Sequence, residues 1–252
     1  MELDEALYQR RSIRHFDPQR TVARETIAAL IATAAMAPSA GNRQGWRVAA
    51  VGPADARALC DALEPQAWSL NYAIFRQVIA RDPNVMGRAP SERELTEATL
   101  AWVEREIRLT GDFWLLVVHF ERRPDEEVAA LSTSIDDILA HLLEHHPEPG
   151  LAERVRSRKH EVAAVDQLAD LGSVAGFMFG LTLAATQAGL ASCIQYTWRL
   201  VAPELRERLA IPASHEVLGA VAVGYLGDVD PAYVARHYAR RPVPTTWHDQ
   251  RG

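Results

Sequence analysis

A stretch of 28 residues without a charged side chain, residues 171–198, constrains the fold of this chain more than any other feature. Its length and apolar character would suit a membrane span. However, hydroxyl and amide side chains occur throughout it, and a Gly189-Leu190 break interrupts it. We therefore expect a helix that is buried in a protein core or a subunit interface, followed by a short strand over residues 191–196.

Small residues recur every fourth position along this expected helix: Gly172, Gly176, Gly180, Ala184 and Ala188. Glycine inside a helix costs about 1 kcal/mol relative to alanine, so three of them require compensation. Close approach of a second helix would supply it. The alternative is tight packing of the helix on its own sheet. The pattern favours a dimer contact, because the opposite face, with Phe177 and Leu181, can also pack on the sheet.

Three further apolar segments predict strands, and two of them are nearly continuous. Residues 113–120 (FWLLVVHF) and 217–225 (VLGAVAVGY) are typical of central strands that are covered on both faces, and residues 46–51 form a shorter strand. Helices are expected over residues 3–10, from an N-cap at Thr21 to a stop at Pro38, and from Pro53 onwards. Residues 65–111 and 122–167 are charged and helix-prone, and we interpret them as helical insertions. The pattern predicts a single α+β domain over residues 1–252 with one core.

The composition excludes several classes of function. The formal net charge of -6 argues against binding to nucleic acid or to an anionic membrane. Only one of the 27 basic residues, Lys159, is a lysine, so a phosphate group would have to be recognised by arginine. Cys60 and Cys193 are too few and too far apart for a thiolate zinc site. The first residues lack the apolar run of a signal peptide, and we expect a cytoplasmic protein.

Histidine offers one metal-like pattern, at His141, His145 and His146. Two of these residues are spaced i, i+4, as in some helical metal sites. No accompanying acidic motif of the zincin type is present. An exposed polar helix face is the better interpretation, and we expect no metal site.

The first chemically suggestive motif is RRSIRHF, residues 10–16. It places the guanidinium groups of Arg10, Arg11 and Arg14 and the hydroxyl of Ser12 within five positions, where a helix gives way to a loop. Guanidinium groups bind phosphate through paired hydrogen bonds, and a serine hydroxyl can add another. Taken alone, however, the motif is better explained as a basic helix end that offsets the helix dipole.

The second motif is APSAGNRQGW, residues 37–46, which connects an expected helix to an expected strand. The amides of Asn42 and Gln44 can each donate and accept hydrogen bonds, as recognition of a flat heterocycle requires. An ordinary polar loop has a similar composition.

Three more motifs follow along the chain: AATQAGLASC at 184–193, GAVAVGYLGD at 219–228 and ARRPV at 239–243. With RRSIRHF and APSAGNRQGW before them, they follow the order found in nitroreductase-like flavoproteins. The sequence therefore resembles the FMN-dependent nitroreductase family, over residues 1–64 and 168–244 but hardly over the insertions. The resemblance implies a central, mainly antiparallel mixed sheet covered by helices, and an intertwined homodimer.

The resemblance also implies an FMN site between the two subunits. The phosphate and the ribityl chain would be bound by Arg10, Arg11, Ser12 and Arg14, with Arg240 or Arg241. Pro38, Ser39 and Ala40 of the partner subunit would lie near the flavin ring, together with Asn42 and Gln44. Gly189 and Leu190 would form the other wall of the ring site. In this family an insertion can form a lid over the flavin. We hypothesise that Trp68, Tyr72 and Phe75 contact an aromatic substrate from such a lid.

The implied chemistry is hydride transfer through flavin N5, from NAD(P)H to a nitroaromatic, quinone or related electron-poor compound, with ping-pong kinetics. Two alternatives stay open: a dedicated dehydrogenase, dehalogenase-like or oxygen-using flavoenzyme, and a noncatalytic flavin-binding protein. The chain departs from the family's motifs at Ala40, at Gly45 and over residues 194–196. Because these positions lie around the substrate face of the ring, the departures concern the substrate more than the cofactor.

Overall fold

The computed structural model describes residues 2–81, 91–122, 126–127, 139–141, 143–145, 150–231, 234 and 243–245. The elements used below are, in chain order, α1 (Leu3–Gln9), α2 (Arg24–Ala34), β1 (Trp46–Val51), α3 (Pro53–Arg81), α4 (Glu92–Ile107), β2 (Trp114–Glu121), α5 (Leu151–Arg156), α6 (Lys159–Gln187), β3 (Ala191–Gln195), α7 (Ala202–Leu209) and β4 (His215–Gly224). Short 3-10 segments occur at Ala40–Asn42 and Tyr196–Val201.

The four strands form one sheet in the order β1-β2-β4-β3, and each neighbouring pair is antiparallel. The two nearly continuous apolar runs become the central strands β2 and β4, in which Val117 pairs with Ala49 on one side and Ala220 on the other. Isolated parallel bridges join Ser12 to Ser192 and His15 to Thr110. The predicted α+β architecture with a mainly antiparallel sheet is therefore confirmed.

Apolar side chains cover both faces of the sheet. On one face, Leu59 of α3 and Leu205 of α7 join the core with Leu115 and Val117. On the other face, α2 and α6 pack together against the sheet, and the ring of Trp46 stacks on Phe177 at 5.2 Å between centroids. The sheet is thus the middle layer of a three-layer structure.

Helix α6 accounts for the uncharged stretch. Its segment Ala164–Gln187 is long and apolar enough to cross a membrane, and an 18-residue stretch within it has a mean hydropathy of 1.5. However, Phe177, Met178 and Leu181 are fully buried against the sheet and α2. Packing therefore explains the apolar character of this helix, although only 39% of an 18-residue apolar stretch within it is buried in one chain.

The glycines of the small-residue stripe on α6 have different surroundings. A Cβ added to Gly180 would lie 3.4 Å from Cα of Ala34, so this part of the stripe admits α2 of the same chain. Added Cβ atoms at Gly172 and Gly176 would meet nothing within 4 Å. Gly180 thus packs against a second helix, but one of the same chain, whereas Gly172 and Gly176 face open space.

The start of the second helix was predicted wrongly. The N-cap of α2 is Ala23, not Thr21. Thr21 instead donates a hydrogen bond from its hydroxyl to Asp112 Oδ2 at 2.7 Å. The hydroxyl is engaged by a carboxylate 91 positions away in sequence, so local capping signals could not reveal its role.

The limits of the two expected insertions do not coincide with helix ends. Helix α3 runs without interruption through Pro65, and α6 begins at Lys159, inside the second expected insertion. Proline removes one backbone hydrogen bond from a helix interior but does not always end the helix. Contacts with α4 over this length, including a tilted packing of the Phe75 ring on Trp102 at 4.3 Å between centroids, hold α3 together beyond the proline.

Candidate functional site

The RRSIRHF segment lies at the outer edge of β3, where Ser12 pairs with Ser192. Ile13 and Phe16 are buried in the core, at 5% and 3% exposure, and anchor the segment. The backbone N–H of Ile13 donates to the carbonyl of Ser192 at 2.9 Å. Ile13 lies between Ser12, which is exposed, and Arg14, which is half-buried, so neither of these polar side chains is enclosed in the core.

The arginines of this segment have different surroundings. The guanidinium of Arg11 lies against the end of α1 and donates to the carbonyls of Tyr8 and Arg10. Arg11 thus caps the end of a helix, which is the alternative explanation noted for the motif. Arg14 donates to the carbonyl of Ser12 at 3.3 Å, and Arg10 is half-buried at the C-cap of α1.

A buried hydroxyl lies next to this segment. Ser192 is 2% exposed, and among the described residues its Oγ has no hydrogen-bond partner. A buried hydroxyl without a partner is costly, and its presence calls for an explanation. The backbone of Ser192 pairs with that of Ser12, so this residue adjoins the predicted phosphate-binding segment at the sheet edge.

A second segment, residues 109–111, fixes the other side of the motif. Thr110 donates its N–H to the carbonyl of Arg14 and accepts from the N–H of Phe16, both at 2.9 Å. The Thr110 hydroxyl and His15 Nδ1 also form a hydrogen bond of 2.9 Å. Gly111 has φ of +84°, and a Cβ there would lie 1.8 Å from the carbonyl oxygen of Phe16, so only glycine fits.

The APSAGNRQGW loop is held on α6. Arg43 forms ion pairs with Asp166 at 2.6 Å and Asp170 at 3.0 Å, and Ser173 Oγ accepts from the N–H of Ala40 at 3.2 Å. Asp166, Asp170 and Ser173 lie one helical turn apart, on one face of the helix. The loop is therefore fixed beside the part of α6 where Gly172 and Gly176 are open.

The two predicted amides of this loop are presented to solvent. Asn42 and Gln44 are exposed, and both adopt left-handed backbone conformations, with φ of +55° and +48°. Gln44 Nε2 donates to Asn42 Oδ1 at 2.9 Å, and its backbone N–H donates to Ser39 Oγ at 3.0 Å. Left-handed conformations are unfavourable for residues with a side chain and are concentrated at binding sites. Pro38 is exposed, and Ser39 and Ala40 are half-buried.

Gly189 has a structural role that the sequence did not separate from its expected cofactor role. With φ of +71°, it ends α6: its N–H donates to the carbonyl of Thr186, and that of Leu190 to Ala185, as at many helix ends. Gly189 is exposed, whereas Leu190 is buried in the core. Placement of a flavin wall at these two residues stays a prediction.

The three aromatic residues of the first insertion lie on α3 and are half-buried. Trp68 and Tyr72 stack at 5.9 Å, and Phe75 packs on Trp102 of α4. Hydrogen bonds from Thr96 and Arg76 lower the pKa of Tyr72. Phe75 is therefore engaged in packing between two helices, and contact of these residues with a substrate stays a prediction.

Some candidate residues fall outside the described part of the chain. These are Arg240, Arg241 and His146. His141 and His145 are exposed, as predicted, with ligand atoms within 4.8 Å of each other and of Glu144. Nδ1 of His145, however, is hydrogen-bonded to the carbonyl of His141 at 2.9 Å. Both cysteines are buried as free thiols, and burial raises the pKa of Cys60 to about 12, so its reactive thiolate form is disfavoured.

Sequence reasoning missed the residues that hold the two motifs in place. Arg43 lies inside the second motif, and the spacing of Asp166, Asp170 and Ser173 is the signal that could have identified its partners. Arg57 of α3 donates to the carbonyls of Leu109 and Gly111, and no local pattern marks it.

The sequence was compared with protein-family models and with known proteins. A model of the nitroreductase family matches residues 7–225. The CLA biosynthesis enone reductase of Lactiplantibacillus plantarum is 39% identical over 57 residues, which is 23% of this chain and 26% of that protein. The match thus spans about a quarter of the curated relative's length.

Two solved structures have the same fold at low sequence identity. A variant of the FMN and NADPH-dependent nitroreductase NfnB from Sphigopyxis sp. strain HMH is 19% identical, with a TM-score of 0.59 over 98% of this chain and 99% of that chain. A BluB-like flavoprotein from Clostridium difficile 630 is also 19% identical, with a TM-score of 0.57 over 96% and 95% of the two chains.

Proposed function

Because the chain belongs to the nitroreductase family, we propose that it is an FMN-dependent oxidoreductase that uses NAD(P)H to reduce a small electron-poor compound. The observation that carries this proposal is the edge of β3, where Ser12 pairs with Ser192 and Arg14 follows two positions later. Ser192 is buried, and its hydroxyl has no hydrogen-bond partner among the described residues. These groups supply hydrogen-bond donors and positive charge in an otherwise acidic protein. They suit a phosphate ester with a polar side chain, such as FMN.

The residues of this chain would divide the work of binding. Arg10 and Arg14 would bind the phosphate, where guanidinium groups form paired, charge-assisted hydrogen bonds. Ser12 and Ser192 would donate to the phosphate or the ribityl chain, and Asn42 and Gln44 would present their amides to the edge of the ring. When bound, FMN supplies the capacity to accept and donate hydride at N5. No protein nucleophile is needed for such chemistry.

The open surface of α6 supports a homodimer. Val165, Leu168 and Phe179 of α6 are 61%, 67% and 43% exposed. Met36, directly before the loop of residues 37–46, is 85% exposed. Gly172 and Gly176 leave room for a close neighbour. Large exposed apolar surfaces are typical of protein interfaces. A second copy on this face would also bring its own loop of residues 37–46 towards the site, as the family resemblance implies.

The proposed acceptor is a small electron-poor molecule. Nitroaromatic compounds and quinones are the expected substrates, and the short similarity to an enone reductase fits an electron-poor acceptor as well. Cytoplasmic localisation stays a prediction.

The first experiment is the visible absorption spectrum and the molar mass of the purified protein. We expect a yellow dimer whose flavin is bleached by NAD(P)H under anaerobic conditions and recovers its colour with an added acceptor. Arg14→Glu should give a colourless, folded protein, since it places a negative charge beside the phosphate. Arg24→Glu, at an exposed position at the start of α2, changes the net charge equally and should stay yellow.

Three results would count against the proposal. Full flavin occupancy in the Arg14→Glu protein would remove the basic motif from the site. A flavin that NAD(P)H does not reduce, but that a substrate reduces directly, would support a dedicated dehydrogenase. A bound flavin that no donor or acceptor affects would support a noncatalytic binding protein.

A further inference from the structure

Arg57 of α3 connects the helix to residues 109–111. Its guanidinium donates from Nη1 to the carbonyl of Leu109 at 2.9 Å and from Nη2 to the carbonyl of Gly111 at 2.8 Å. The side chain is half-buried, with Cζ 5.3 Å from the ring centroid of Phe113. The planar guanidinium group can hold two carbonyls at once, which the single ammonium of lysine cannot do in the same geometry.

The segment that Arg57 holds is the same one that fixes Arg14. Between the two carbonyls bound by Arg57 lies Thr110, which donates to the carbonyl of Arg14 and accepts from the N–H of Phe16. Gly111 packs its Cα directly against the carbonyl of Phe16. A continuous series of short contacts therefore leads from Arg57 through residues 109–111 to the backbone on either side of His15.

We propose that Arg57 is a positioning residue for the phosphate end of the flavin site, acting through residues 109–111 on Arg14. This inference rests on the proposed binding of FMN. With both carbonyls held, the backbone of Arg14 has a fixed position, and its guanidinium loses less freedom when it meets a phosphate. Without the two hydrogen bonds, residues 109–111 can move, and the same freedom has to be lost on binding.

A double-mutant cycle on FMN affinity tests this role. The dissociation constant of FMN is measured by titration of flavin-free dimer for wild type, Arg57→Met, Arg14→Met and the double variant. We expect Arg57→Met to weaken FMN binding about tenfold, in the range of coupled neighbouring residues. In the Arg14→Met background, the same change should have an effect of less than about threefold, because the residue through which Arg57 acts is gone. Arg57→Lys should lie between wild type and Arg57→Met.

Arg206→Met provides the matched control. Arg206 is half-buried on α7 and also donates from its guanidinium to a backbone carbonyl, that of His215, at 2.9 Å. Its carbonyl partner is at the start of β4, and FMN affinity should not change. Urea unfolding of every variant separates loss of fold from loss of binding.

The outcomes distinguish the two proposals. If wild-type protein binds no FMN, the proposed function fails. If wild type binds FMN and Arg57→Met binds it equally well, or weakens it by the same factor in both backgrounds, Arg57 has no positioning role. Should Arg57→Met not fold, Arg57→Lys carries the same comparison.

Discussion

A pair of histidines at the far end of the sheet predicts a specific dependence of stability on pH. Nδ1 of His119 and Nδ1 of His215 lie 2.8 Å apart, with ring centroids at 5.0 Å. His119 is only 8% exposed. Arg47 faces it from the paired position on β1, Arg206 binds the carbonyl of His215 from α7, and Glu216 follows on β4. At neutral pH one ring can donate and the other accept, so the pair is satisfied only while the acceptor is neutral.

The size and sign of the effect follow from the pKa of His119. Burial, and then the positive charges of His215 and Arg47, lower this pKa from 6.5 to about 4. Between these two pH values the unfolded chain binds a proton that the folded chain does not. The contribution to stability is therefore complete above pH 6.5 and is lost as the pH falls to about 4. Since each pKa unit corresponds to about 1.4 kcal/mol, the loss amounts to about 3 kcal/mol.

The measurement is the free energy of unfolding in urea at a series of pH values across this window, at fixed protein concentration. We compare wild type with His119→Asn, whose amide can take the place of Nδ1 beside His215. The variant should lose about 3 kcal/mol less than wild type between the two ends of the window. His141→Asn, at an exposed histidine, should behave like wild type. If His119→Asn retains the wild-type pH dependence, the reasoning from burial and the neighbouring charges is refuted.

Two further changes test the scaffold of the site. Gly111→Ala should destabilise the protein by at least about 2 kcal/mol in urea unfolding, because it combines a left-handed φ with a Cβ against Phe16. The control Gly45→Ala has open space around it and should stay within about 0.5 kcal/mol of wild type. Arg43→Met should lower the free energy of unfolding by about 1 kcal/mol, because it removes two ion pairs with half-buried aspartates of α6. This loss should be smaller at high salt, and an equal loss at high salt would contradict the electrostatic account.

The strands and the main core were predictable because their signals are local. The nearly continuous apolar runs of β2 and β4 allow few arrangements other than central strands, and the family motifs gave the correct family. The extent of α3 was not predictable, since a proline such as Pro65 ends many helices. Its continuation depends on packing against α4, which is distant in sequence.

Contacts between residues that are distant in sequence were hidden for a similar reason. His119 and His215 are 96 residues apart, and their pairing requires the register of β2 on β4, including a register shift beside His119. The role of Arg57 depends on a segment more than fifty residues later in the chain. A sequence pattern shows which residue types are available, but not which carbonyl a guanidinium reaches.

Each motif contains residues that hold its backbone in place and residues that present a polar side chain to the candidate site. In the first motif, Ile13 and Phe16 are buried and Arg11 caps α1, whereas Ser12 and Arg14 remain at the sheet edge. A motif therefore specifies a small folded unit as well as a set of ligands. A change at a holding residue should reduce stability and flavin affinity together. A change at a presenting residue should reduce affinity alone, so comparing the two measurements shows to which group a residue belongs.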